Sequence, residues 1–324
     1  MKAVLCKSFG PPESLVIEEV SDLRPGKGQA VIAVKACSVN FPDTLMIQGL
    51  YQFKPPFPFS PGSDVSGVVK SIGEGVKNLK VGDEVFALVG HGGFAEEVLA
   101  DARVTFPKPP GMSFEESAAF TMVYGTSYHA LKDRAQLKEG ETLVVLGAAG
   151  GVGLTAVELG KVMGAKVIAC ASTDEKLQLC KKYGADEVVN YSEGKLKDQL
   201  KELTAGKGAD VVYDPVGGSY TEAALRATGW KGRYLVVGFA AGDIPKIPLN
   251  LPLLKGCDIR GVFWGAFTQK DPGANMANIM QLMQWYQEGK IKPFISKKYS
   301  LEEVPIALNA IMNREVKGKV VVVP

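Results

Sequence analysis

Residues 143–172 read LVVLGAAGGVGLTAVELGKVMGAKVIACAS, and this stretch restricts the fold more than any other. The apolar run 143–146 reads as a short buried strand, followed by a glycine-rich turn. Val152, Ala156, Leu159 and Met163 then recur at the spacing of one helical face, and Gly164 stands where a helix stops. Gly150 and Gly153 hold the second and third positions of a dinucleotide-binding turn. There the second glycine lets the backbone approach a pyrophosphate, and the third lets helix and strand pack closely. The helix N-terminus directs free N–H groups and partial positive charge at a phosphate, so Gly150, Gly151, Val152 and Gly153 form the candidate pyrophosphate site.

Two departures carry information. Ala148 stands where the turn glycine is usual, which is tolerable only if its φ is negative. The acid usually found about 20 residues further on is absent, and Ser172 and Thr173 stand there instead. An acid would take the ribose hydroxyls of NAD and repel a 2′-phosphate. That repulsion is about 4 kcal/mol at about 4 Å and an effective dielectric of about 20. Ser172 with Lys176, one turn into the next helix, suits a phosphate, so the expected cofactor is NADPH. The competing structural reading makes Ser172 a helix cap and Lys176 a solvated charge.

Around this turn, strand-like runs (TLVVLG, AKVIACAS, EVVNY, ADVVYDP, GRYLVVGF) alternate with helical stretches. That alternation predicts an α/β fold with a doubly wound parallel sheet. The first third is different. KAVLCKSF, LVIEEV and AVIAVKACSV are short apolar runs between Gly and Pro signals, predicting a β-rich domain. The length of 324 residues suits two domains. YQFKPPFPFSPG, with four prolines and three phenylalanines, predicts an ordered loop or a lid over a cavity. SFEESAAFTMVYGTSYHALKDRA reads as helix, opened by a capping box of Ser113 and Glu116.

Composition removes several function classes. Lys and Arg number 37 against 35 Asp and Glu, which gives no reason to expect nucleic acid or an anionic membrane as partner. No secretory leader and no membrane-spanning run is legible, so a cytoplasmic location is expected. Five scattered cysteines and only two histidines argue against a disulfide framework or a zinc knuckle.

The motifs VNFPDTLMIQGLY, PFSPGSDVSGVVKSIGEGV, VGDEV, GGFAEE, AAGGVG, GADVVYDPVGG and NREVKGKVVVVP together resemble the zinc-free quinone oxidoreductase branch of the medium-chain dehydrogenase/reductase superfamily, the relatives of zeta-crystallin. The resemblance covers nearly the whole chain. It implies a GroES-like substrate domain over 1–122, completed by 265–324, and a Rossmann NADPH-binding domain over 123–264. It implies that Ser172, Lys176 and Tyr191 hold the 2′-phosphate, joined by Arg314. On the nicotinamide side it implies Asn40, Thr126, Phe239, Phe263 and Gly265. In the zinc enzymes of this superfamily the first metal ligand stands where Asn40 is, and a Gly-His-Glu reads here Gly62, Ser63, Asp64. With the histidine gone, a set of ligands about 2 Å from one point is missing, and no metal site is expected.

Without a Lewis acid, catalysis reduces to aligning the nicotinamide with a flat, electron-poor acceptor. Tyr51 is the candidate proton donor or oxygen holder, with an apolar wall as the alternative. Asn40 either meets the nicotinamide ribose or substrate oxygen, or caps a turn. Asp43 either serves the site or fixes a turn. Tyr124 either approaches the cofactor or belongs to the core. His129 is expected to be structural and His91 to lie on the surface. Three functions stay open: an NADPH-dependent quinone reductase, an enone or enoyl-thioester reductase, and an NADPH-binding structural or interaction protein without turnover. The family resemblance also implies a homodimer through the apolar strand 257–264.

Overall fold

The computed structural model describes residues 1–324. It divides into one unit of residues 1–122 with 292–324 and a second of residues 123–291. Residues 1–122 hold β1 (Lys2–Leu5), β2 (Val16–Glu19), β3 (Gln29–Ser38), α1 (Phe41–Ile47), β4 (Asp64–Ile72), β5 (Glu84–Leu88), β6 (Glu97–Asp101), β7 (Thr105–Pro107) and α2 (Phe114–Ala118). The chain crosses the boundary in α3 (Thr121–Tyr128). The second unit holds β8 (Thr142–Val145), α4 (Gly151–Val162), β9 (Lys166–Ala171), α5 (Asp174–Lys182), β10 (Glu187–Asn190), α6 (Leu196–Leu203) and β11 (Ala209–Asp214). It continues through α7 (Tyr220–Ala227), β12 (Thr228–Val236), α8 (Asn250–Lys255), β13 (Asp258–Gly261), α9 (Trp264–Lys270) and α10 (Pro272–Gln287). The return to the first unit supplies β14 (Ile295–Tyr299), α11 (Val304–Met312) and β15 (Lys319–Val322).

In the first unit a seven-stranded sheet runs β14-β15-β3-β4-β5-β7, with β6 paired on β3. β3 is its axis. It pairs antiparallel with β4, with β6 at its start and with β15 at its end, where Val321 faces Ser38 and Val322 faces Cys37. Small and β-branched residues fill this strand because both its faces are covered. Ala30, Ile32 and Cys37 pack with Val65, Val85, Phe94, Leu308, Val320 and Val322 in one core.

The second unit is a fully parallel sheet of order β10-β9-β8-β11-β12-β13. Numbered from β8, this is the doubly wound order in which strand progression reverses between the first and fourth strands. The left-handed residue of the turn after β8 is Gly147, at φ 56°, and Ala148 lies outside the left-handed region. Ala148 therefore costs the turn nothing. A Cβ on Gly153 would lie 2.2 Å from the carbonyl oxygen of Gly147, so helix and turn touch at backbone distance.

Three expectations are corrected. The return to the first unit falls at 292, not 265, because α9 and α10 belong to the second unit. Trp264 Nε1 donates to Asn275 Oδ1 at 3.1 Å, and the buried Asn278 joins Lys132 at 2.6 Å and Asp133 at 2.8 Å. The apolar run 257–264 is a strand only over 258–261, because Trp264 already opens α9. The helix expected from Ser113 breaks after Ala118, although the capping box forms as read, with Ser113 and Glu116 exchanging two 3.1 Å bonds. The break frees the N–H of Met122 to donate to Asp64 Oδ2 at 3.2 Å. No helix is long and apolar enough to cross a membrane.

Replacing Gly153 with Ala forces a side chain onto a carbonyl that cannot rotate away. Overpacking of this kind costs about 1–3 kcal/mol. Urea unfolding of Gly153→Ala is expected to show that loss, and an unchanged midpoint at unchanged m-value would contradict the packing described.

Candidate cofactor and active site

In open α/β sheets, ligands lie beyond the carboxyl ends of the strands at the point where strand order reverses. Most of the candidate cofactor residues of the second unit follow strand ends along that edge. The turn 147–150 and the start of α4 follow β8, Ser172 follows β9, and Tyr191 follows β10. Phe239 follows β12, and Phe263 and Gly265 follow β13. The first N–H groups of α4, at Gly151, Val152 and Gly153, have no intrahelical acceptor. Gly150 caps the helix without a side chain, and a Cβ there would meet nothing closer than 3.4 Å. Gly150 thus leaves space beside the turn, whereas Gly153 is closed against the Gly147 carbonyl.

Ser172 does not cap α5. Thr173 does, with its hydroxyl accepting from the Lys176 N–H at 3.4 Å. The Ser172 hydroxyl, half-buried at the end of β9, is therefore not used as a helix cap. Asp174 Oδ1 accepts from Asn190 Nδ2 at 3.4 Å. Tyr191 lies against Tyr220, with ring centres 4.4 Å apart. Thr126 lies in α3 beside Ser127, which sequence reasoning missed. The buried Ser127 hydroxyl donates to Val152 O at 2.8 Å and bonds Thr155 and the β11 residue Tyr213, each at 2.9 Å. This ties α3 to the first turn of the glycine helix. Arg314 belongs to the other unit, on an exposed left-handed turn (φ 59°) after α11.

Asn40, Asp43 and Tyr51 lie in the first unit, and the structure adds Lys319 to them. Asn40 opens α1 and is 4% exposed; Asp43 and Asp64 are buried as well. Lys319 Nζ donates to Asn40 Oδ1 at 2.5 Å and to Val39 O at 2.8 Å. Asn40 Nδ2 donates to Ser38 Oγ at 3.0 Å, and Ser38 Oγ donates to Asp64 Oδ2 at 3.4 Å. The Asn40 N–H donates to Asp43 Oδ2 at 2.8 Å, so Asp43 does fix the turn into α1. Asp43 Oδ1 and Ser63 Oγ, both buried, have no hydrogen-bond partner. Burial pushes the Asp43 carboxyl up to about 7. It also drives the Asp64 carboxyl up and the Lys319 ammonium down. The Tyr51 phenol is pushed up by burial and by the nearby Asp43 charge, so it keeps its proton at neutral pH.

The proline-rich loop is ordered by aromatic contacts. Phe57 meets Phe9 edge-on at 4.7 Å, and Phe53 stacks on His91 at 5.9 Å. His91 is therefore half-buried rather than a surface residue, and burial holds its pKa down. Tyr124 belongs to the core, its hydroxyl donating to Glu158 at 2.6 Å. His129 is structural, bonded to Asp133 at 2.9 Å and stacked on Phe267. No group of three or more His, Cys, Asp or Glu side chains is arranged to hold a metal ion.

Comparison with known proteins agrees with this architecture. Residues 26–110 match the alcohol dehydrogenase GroES-like domain, and residues 151–285 match the zinc-binding dehydrogenase domain. The quinone oxidoreductase-like protein 2 homolog of Nematostella vectensis is 40% identical over 99% of this chain and 88% of its own. Human quinone oxidoreductase is 33% identical over 97% of this chain and 94% of its own. The crystal structure of Escherichia coli quinone oxidoreductase complexed with NADPH superposes with a TM-score of 0.94 at 29% identity, over the whole of both chains. An oxidoreductase architecture of a GroES-like and a Rossmann-type domain, matched end to end at this identity, means that the chain belongs to the quinone oxidoreductase family of medium-chain dehydrogenases/reductases.

Proposed function

We propose that this protein is a zinc-independent, NADPH-dependent reductase that transfers hydride to quinones. The observation that carries the cofactor choice is the end of β9, where no acid stands and the Ser172 hydroxyl is left over because Thr173 caps α5. When bound, NADPH supplies the hydride from its nicotinamide. The N–H groups of Gly151, Val152 and Gly153, with Gly150 leaving room, receive the pyrophosphate. Ser172, Lys176 and Tyr191 take the 2′-phosphate, with Arg314 joining them. Thr126, Phe239, Phe263, Gly265 and Asn40 serve the nicotinamide side.

Tyr51 holds the proton that a two-electron reduction consumes, and donates it from Oη to the acceptor oxygen. Asp43 is wholly buried and acts on Tyr51 through its charge rather than by touching the acceptor. Zinc independence rests on residue chemistry. Asn40 and Ser63 are poor ligands for zinc, and a lysine ammonium faces Asn40. A homodimer is part of the same proposal. β13 is a sheet edge, and Leu249, Leu253, Leu254 and Ile259 around it are exposed apolar side chains that a second copy would cover.

Three measurements test this reading. Lys176→Ala is expected to raise KM for NADPH about tenfold or more, the loss of one charge-assisted contact, and to leave KM for NADH nearly unchanged. Equal effects on both would reject the phosphate assignment. In steady state, quinones should drive NADPH oxidation faster than enals or an enoyl thioester. Turnover with the enoyl thioester alone would transfer the function to that class, and tight NADPH binding without turnover on any acceptor would mark a non-catalytic protein. Light scattering should give the mass of a dimer; a monomer would remove the β13 interface.

A further inference from the structure

The strongest unassigned feature is the lysine buried beside Asn40. Lys319 is 5% exposed and carries a cation into a core that already holds Asp43 and Asp64. Burying a charge is costly unless it is paired and hydrogen-bonded. Yet Lys319 forms no direct ion pair with either carboxylate, and they act on it only through their charge. It donates instead to Val39 O and to the side-chain oxygen of Asn40. Two facts then fix the sense of the Asn40 amide. Its oxygen faces an ammonium, which has only donors to offer. Its nitrogen donates to Ser38 Oγ, whose own proton is directed at Asp64 Oδ2. A flipped amide would set N–H groups against an ammonium and an oxygen against a hydroxyl already committed as donor. The amide therefore has one stable orientation, set from a strand 279 residues away in sequence.

We propose that Lys319 is a positioning residue of the active site, holding the Asn40 amide in the single orientation that the reaction uses. The inference rests on Asn40 serving the NADPH-dependent reaction proposed above. Geometry separates this role from plain charge neutralisation. A counter-ion for Asp43 and Asp64 needs only to be near them, whereas an orienting group must donate to Asn40 Oδ1. A charge-balanced double variant distinguishes the two. Lys319→Met removes the cation and its donor. Adding Asp64→Asn restores the net charge of the cluster and keeps an acceptor for the Met122 N–H.

The experiment compares Lys319→Met, Asp64→Asn and Lys319→Met/Asp64→Asn with the unaltered protein. Thermal melts establish which variants fold. Steady-state kinetics with NADPH and a quinone, and proton exchange of the Asn40 side-chain amide by NMR, provide the readouts. The Asn40 signal is assigned by its loss in Asn40→Ser. In the folded double variant we expect kcat at least tenfold below that of Asp64→Asn, with KM for the quinone changed less than threefold. We also expect at least tenfold faster exchange at the Asn40 amide. A double variant with the kcat and exchange rate of Asp64→Asn would overturn the proposal, because a counter-charge alone would then suffice. If the unaltered protein turns over no acceptor, the functional reading fails, and the exchange comparison alone decides whether Lys319 orients Asn40.

Discussion

Two carboxylates and one ammonium share the interior of the β-rich unit, and its architecture answers to that burden. Asp43 comes from α1, Asp64 from β4 and Lys319 from β15, and Ser38 at the end of β3 and Asn40 at the start of α1 bridge them. Removing the ammonium from such a buried set leaves the carboxylates uncompensated, at a cost of about 3–5 kcal/mol. The apolar strands around the set supply the bulk of the burial. The charges add a condition that apolar packing lacks: β15 must pair with β3 in one register, because sliding by one residue would turn Lys319 to the other face.

The two units divide the chemical labour along lines their folds suit. On the function proposed above, recognition at the parallel sheet falls to backbone N–H groups at a helix start and to side chains at strand ends on one edge. Their placement follows from the strand order and from the contact of Gly153 with the Gly147 carbonyl. In the β-rich unit the groups are side chains locked to one another through hydrogen bonds. Tyr51 stands at the margin of that network, half-buried, with its phenol kept neutral by burial and by Asp43.

How much of this could be read beforehand depended on distance along the chain. The glycine turn was legible because every part of it lies within a few residues, and even the puzzle of Ala148 dissolved one residue upstream, at Gly147. The choice between Ser172 and Thr173 as helix cap turned on a one-residue boundary, which apolar periodicity does not resolve. The return point was misplaced by 27 residues, from 265 to 292, because nothing local in α9 and α10 marks the unit they pack on, and long-range contacts such as Phe267 on His129 and Asn278 with Lys132 and Asp133 reveal it. Lys319 was invisible for a deeper reason. In KGKVVVVP it reads as the charged lead-in to an apolar strand, and nothing local shows that its partners are Asn40 and Val39.

The closing role of β15 also sets an order of events during synthesis. Residues 123–291 are contiguous and carry their own sheet, so they can fold as soon as they leave the ribosome. Residues 1–122 are made earlier, yet their buried carboxylates have no ammonium until residue 319 emerges. The strands translated first are therefore among the last to settle. A nascent chain halted between 291 and 319 would carry a finished nucleotide fold beside an acidic core still open to water.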